Sequence, residues 1–264
     1  MMTDPAMYKL LAWSSPGYPT GAFSYSHGLE WAVETGDVKN LQGLLDYVTA
    51  VLSRGGGWVD AVLFAHAWRS AVTAPAVPAT RAAVTASTAI DTRTAPPASM
   101  HTAWSAPVAL ANLDTLTQLA AAFRGSSETA LESRQQGGAF LDVTRKAWPH
   151  PTLEAFAIRQ AQAGTPVAHC IAVAVACAAH EIALAPALDS YIHAVAANLV
   201  SAGARLIPLG QTQAQIAIAQ LAPVITDIAE RAQTTSVDDL GTAAPAIELC
   251  SLRHETQYTR LFRS

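Results

Sequence analysis

Apolar residues recur at helical spacing along most of the chain, and no period-two alternation of useful length appears. Leu41, Leu44, Leu45, Val48, Val51 and Leu52 follow a 3.6-residue period, with Asn40 placed before them as a cap. The pattern returns at Trp58, Val62, Phe64, Ala65 and Trp68. Gly55-Gly56-Gly57 lies between and weakens a helix by roughly 1 kcal/mol per Gly relative to Ala. The spacing therefore predicts a kinked helix or two helices in line. Leu110, Leu113, Leu116, Leu119 and Phe123 form another stripe, ended by Gly125. Ser127 with Glu128 reads as the next start, with Leu131, Phe140, Leu141 and Val143 along it. Trp148-Pro149-His150-Pro151 is a hard break. Thr152–Gln162 is a helix ended by Gly164, and Thr165-Pro166 opens an apolar helix reaching about Leu184. Pro186–Ser201 follows, closed by Gly203. Leu209–Arg231 completes the body, with a kink expected at Pro223. Shorter helices are expected at Met7–Trp13 and Gly28–Thr35. The expected fold is all-α: one helical-bundle domain spanning residues 1–264.

Some stretches depart from this pattern. Residues 70–110 are dominated by Ala, Thr, Ser, Val and Pro, with prolines at 75, 78, 96, 97 and 107. They read as a low-complexity insertion, with one short helix around Arg81–Ile90. Residues 234–244 are polar and loose. Ser14 to Gly21 holds two prolines and two glycines, so it cannot continue a helix. Tyr18, Phe23 and Tyr25 make this loop unusually aromatic. It either plugs the core or binds a partner. The last stretch, residues 245–264, interleaves Arg253, Arg260 and Arg263 with Tyr258, Leu261 and Phe262. Protein interfaces enrich such residues, so this tail is expected to be mobile alone and to order on binding.

Composition narrows the function classes. The chain has 264 residues, 51% of them hydrophobic and 14% charged. Ala makes up 55 of the 264 residues, which favours helix because Ala loses no rotamer freedom there. A net charge of −4 gives no general attraction to nucleic acid or anionic lipid. Cys170, Cys177 and Cys250 are too scattered for a disulfide framework and fit reduced thiols in a cytosolic protein. The first residues carry Asp4 and a short apolar run, a poor signal peptide. The uninterrupted apolar run Ile171–Ala179 is nine residues, about half of what a bilayer needs.

A search for chemistry finds no catalytic constellation. Gly55-Gly56-Gly57 lacks the Gly-Lys-Ser/Thr of a phosphate-binding loop, and His180-Glu181 has no second His four residues after the first. His169, Cys170, Cys177 and His180 are soft ligands in one apolar segment. An axial separation of ~10 Å or more keeps all four from one ion, so core packing is the expectation. No catalytic residue, cofactor or metal site is therefore assigned.

Three segments carry a family resemblance. Ser15-Pro16-Gly17-Tyr18-Pro19-Thr20-Gly21-Ala22-Phe23-Ser24-Tyr25-Ser26-His27-Gly28-Leu29-Glu30 resembles the N-terminal signature of the urease accessory protein UreF family. Arg205 with Ile207-Pro208-Leu209-Gly210-Gln211-Thr212 and Gln215 is similar to its second signature. Glu255-Thr256-Gln257-Tyr258-Thr259-Arg260-Leu261-Phe262-Arg263-Ser264 is similar to its C-terminal tail. Glu128 with Ser133, Gln135, Gln136 and Gly137 is a weaker match. Thr20, Ala130 and Ala214 depart from the residues usual in the family.

The resemblance implies an all-helical, cytoplasmic, homodimeric adaptor and no enzyme. It would bridge a second accessory protein, UreD (also called UreH), and the GTPase UreG, so that nickel reaches apo-urease. The partner-binding residues it points to are Pro16, Gly17, Tyr18, Phe23, Ser24, Tyr25, His27, Glu30, Arg205, Pro208, Leu209, Gly210, Gln211, Tyr258, Arg260, Leu261, Phe262 and Arg263. The alternative is a GTPase activator that inserts Arg54, Arg205 or Arg260 into the UreG site.

Overall fold

Helix α1 (Pro5–Trp13) begins where Asp4 accepts the Ala6 amide at 3.0 Å and Pro5 takes the first helical position. Helix α2 (Leu29–Glu34) follows the aromatic loop, and Asn40 caps α3 (Leu41–Arg54) through the Gly43 amide. The chain continues through α4 (Gly56–Thr73), α5 (Ser105–Ala122), α6 (Ser127–Ala147), α7 (Pro151–Ala163) and α8 (His169–Ala179). It ends with α9 (Leu184–Leu206), α10 (Gln211–Thr234) and α11 (Pro245–His254). This computed structural model describes residues 4–73 and 105–264, and in α5 the side chains from residue 112 onward. Among the described residues there is no strand, so the all-α expectation holds.

Helix α8 is the axis of the fold. Every residue from Cys170 to Ala179 is buried, because a helix that is apolar on all sides has no face to give to water. It packs chiefly against α4 and α6, with α5, α7 and α9 completing the ring. Small side chains set these distances. A Cβ on Gly137 of α6 would sit 2.0 Å from the Val167 carbonyl oxygen, just before α8. Phe64 of α4 and Phe140 of α6 fill the larger gaps and are fully buried.

Several element boundaries differ from the pattern. Helix α4 runs to Thr73 and α5 begins at Ser105, so both edges of the stretch expected to be irregular are helical. Pro107 falls in the first turn of α5, where an N–H has no intrahelical acceptor. The helix expected around Arg81–Ile90 lies outside the described residues. Gly55 alone separates α3 from α4, extended at φ −105, ψ −151, while Gly56 and Gly57 begin α4. Thr165-Pro166 starts nothing: Gly164, at φ +65, closes α7 and α8 begins at His169. Ser126, not Ser127, caps α6, in a reciprocal box with Thr129. Gly203 does not end α9 but lets it approach α3, where a Cβ would meet the Leu44 side chain at 2.5 Å. Among the described residues no helix is long and apolar enough to cross a membrane.

Candidate functional site

Left-handed backbone shapes the N-terminal signature. Gly21, His27 and Gly28 have φ of +75, +54 and +77, a region that Gly enters freely and other residues rarely. Gly28 also touches α11: a Cβ there would lie 2.5 Å from the Ser251 nitrogen. This close approach lays α2 on α11 and brings Glu30 to the C-terminal segment.

Glu30 is buried and accepts three bonds from that segment. Its Oε1 takes the Leu261 amide at 2.6 Å, and its Oε2 takes the Phe262 amide at 2.9 Å and His254 Nε2 at 3.0 Å. His254, fully buried, meets Glu128 Oε2 through Nδ1 at 2.7 Å. A ring facing a carboxylate at each nitrogen donates to both only with a proton on each. Glu128 Oε1 accepts Arg260 Nη1 at 2.7 Å. One turn along α6, Glu132 Oε1 pairs with His27 Nε2 at 3.0 Å and Oε2 accepts the Ser264 hydroxyl at 2.9 Å. Ser26 donates its amide and its hydroxyl to the Ser264 carbonyl oxygen, and the Arg263 amide donates to Ser24 at 2.8 Å. Three glutamates thus hold the tail.

The tail is therefore packed onto the body, contrary to the expectation of a mobile end. Phe262 is buried, and the Arg205 guanidinium lies 4.4 Å from its ring centroid while donating to the Phe23 carbonyl at 2.9 Å. Tyr18 bonds Thr144 at 2.7 Å and Tyr25 donates to Gln135 Oε1, so both tyrosines brace the loop against α6. Other side chains face outward. Phe23 is 66% exposed, Leu261 65%, and Tyr258 fully exposed, with Leu249 and Leu252 exposed on α11. Pro16 and Gly17 are exposed in the loop. Pro208 and Leu209 lie elsewhere, lining a shallow groove with Lys39, Leu41 and Leu45 at the start of α3, while Gly210 and Gln211 open α10.

Beneath the network is a chamber of about 360 Å³. His27, Asp60, Arg124, Glu132, Ser133, His169 and Tyr191 are among its lining residues. Asp60 accepts Arg124 at 2.8 Å and Tyr191 at 3.0 Å. Burial works against the Arg124 charge, but the Asp60 carboxylate outweighs it and raises the pKa. Among the described residues the buried Ser133 hydroxyl has no hydrogen-bond partner. His169 packs between Phe140 and Tyr191, and burial pushes its pKa down to about 4, so the ring is neutral at pH 7. The unfolded chain, with an ordinary His pKa of about 6.5, binds this proton first. Stability should consequently fall as pH drops from about 6.5 toward about 4. Urea unfolding at neutral and acid pH checks this, and the acid loss should shrink in His169→Phe.

The four soft ligands of the α8 region do not converge. Cys170 and Cys177 are buried core thiols, their pKa values raised first by desolvation, and His180 bonds the Trp148 carbonyl at 3.0 Å. Among the described residues, no group of three or more His, Cys, Asp or Glu side chains is placed to hold a metal ion. Of the three arginines considered as fingers, Arg205 and Arg260 are tied down as described. Arg54 is exposed and makes no side-chain hydrogen bond or ion pair among the described residues.

Glu132 and His254 lie outside the motif segments, and with Glu128 and Ser264, which lie within them, they do as much at this site as the candidate partner-binding residues. The i, i+4 spacing of Glu128 and Glu132 is the signal that places them on one face of α6.

The UreF family model matches residues 38–222. The urease accessory protein UreF of Granulibacter bethesdensis is 44% identical over 261 residues, covering 99% of this chain and 95% of its own. Its counterpart in Rhodopseudomonas palustris is 43% identical over 259 residues, covering 98% and 91%. That of a Bradyrhizobium species is 41% identical over 266 residues, covering 100% and 94%. With the family model spanning well over half its length and such relatives matching nearly all of it, the chain belongs to the UreF family of urease accessory proteins.

Proposed function

We propose that the protein is a homodimeric adaptor that joins UreD to the GTPase UreG during nickel insertion into apo-urease. Its work is binding, with no bond-making centre of its own. The observation that carries this reading is the tail: exposed Tyr258 and Leu261 stand on a backbone held by buried charge pairs. A segment ordered in advance loses little conformational entropy on docking, and large apolar side chains on rigid backbone make strong anchors. The UreD-facing surface is this ridge, extended by Leu249 and Leu252 of α11. The Phe23 loop beside it completes the patch. Coupling to GTP hydrolysis requires different affinities for the two nucleotide states of UreG.

Co-expression with UreD and UreG, followed by mass measurement of the assembly, tests the adaptor. A chain that captures neither partner rejects it. Tyr258→Ala with Leu261→Ala should weaken UreD binding about 100-fold while leaving the helical circular dichroism unchanged, because both side chains lie outside the buried network. Unaltered affinity removes the tail from the interface.

A further inference from the structure

His27 is placed where a proton can control the tail. It sits in the left-handed part of the signature loop, its carbonyl bound by the Tyr47 hydroxyl at 2.8 Å and its ring directed at Glu132. Glu132 is buried on α6 and is shared: Oε1 meets His27 and the Gln136 amide at 2.8 Å, and Oε2 meets the Ser264 hydroxyl. Ser264 is fully buried, its carbonyl held by Ser26 next to His27. One carboxylate therefore joins an ionisable ring to the last residue of the tail.

We propose that protonation of His27 is a latch for the C-terminal tail, closed when the ring is charged and loosened when it is neutral. Glu132 is the carboxylate of the network that faces His27, and the ring supplies it with a counter-charge only when it carries two protons. Loss of the His27 proton leaves a buried carboxylate with neutral donors alone, a state that costs free energy in a poorly solvated site. That cost is relieved if Ser264 lets go and water reaches Glu132.

Charges on every neighbouring element bear on this ring. Glu132 of α6 and Asp60 of α4 favour its protonation, while Arg124, after α5, opposes it. Neutral His169 of α8, Tyr191 of α9 and Glu248 of α11 also line the shared chamber. Burial pulls the His27 pKa down, but the Glu132 charge and hydrogen bond, with Asp60, leave it raised. The sign follows. A group whose pKa is raised on folding stabilises below its unfolded value and loses that contribution as pH climbs through the folded value. The latch thus opens on the alkaline side.

Such a device would set how firmly the docking ridge is presented, and in that sense it rests on the adaptor reading. It is testable without any partner. Hydrogen exchange of the Leu261 and Phe262 amides reports tail opening in the full chain, and the His27 ring resonance reports its charge. Protection should fall about tenfold for each unit by which closing of the tail raises the His27 pKa, in step with the ring titration. His27→Gln keeps a neutral donor and should give low, pH-independent protection. Ser264→Ala should leave the ring titrating but abolish its coupling to the amides. Constant protection while His27 titrates overturns the latch, and so does an undiminished pH step in either variant. Because no UreD or UreG is present, these outcomes are separate from failure of the adaptor.

Discussion

Replacing Gly137 by Ala is expected to lower the unfolding free energy by about 3 kcal/mol, while the same change at the adjacent Gly138 should raise it by up to about 1 kcal/mol. Both glycines lie inside α6, so helix propensity favours Ala equally at each. Their surroundings differ. A Cβ at 138 has no atom within 4 Å beyond the helix itself. At 137 it would fall 2.0 Å from the Val167 carbonyl oxygen and 2.9 Å from the His169 nitrogen. Those are backbone atoms leading into α8 and cannot rotate away, so α6 and the central helix would have to separate. Overpacking of this kind commonly costs about 1–3 kcal/mol and sometimes more, which exceeds the propensity gain. Urea midpoints of the two variants decide the matter. Equal effects would mean that α6 does not touch the start of α8.

The second large effect is expected at Glu30. Glu30→Ala strips the acceptor from the Leu261 amide, the Phe262 amide and His254 in one step. Breaking a buried charged pair from one side costs about 3–5 kcal/mol, because the partner stays buried and uncompensated. Part of that cost is relieved by releasing the tail, so the loss should appear both as lowered stability and as exchange-labile amides at 261 and 262. UreD affinity should fall with them if the ridge docks there. Glu30→Gln retains one acceptor oxygen and should lie between wild type and Ala. A change below about 1 kcal/mol, the range of exposed ion pairs, would show that Glu30 is not the joint described.

The central helix was legible because nine unbroken apolar residues can only be buried. The three signature segments were legible as motifs, and two of them, with Arg205 from the third, do come together. Their chemistry was less legible. Glu30, Glu128 and Glu132 look like ordinary solvated carboxylates, since acidic residues are seldom buried unless paired. Their partners, His254, Arg260 and His27, are far away in sequence, so neither periodicity nor capping rules connect them. For the same reason the tail looked unattached. Gly203 and Gly137 show a related gap, because a glycine that ends a helix and one that admits a neighbour are the same letter. Pro208 and Leu209, adjacent in sequence to the Arg205 site, belong to a different face.

The long span between Glu30 and its partners has a consequence for biosynthesis. Residue 30 leaves the ribosome early, yet its hydrogen-bond donors are 224 to 232 residues downstream. Throughout translation the nascent helices can collapse around α8, but Glu30 of α2 and Glu128 of α6 lack these partners until residues 254–264 emerge. Contacts so distant in sequence form slowly and late. A product truncated before residue 254 therefore leaves Glu30 and Glu128 without these partners, and it should unfold more easily than the full chain.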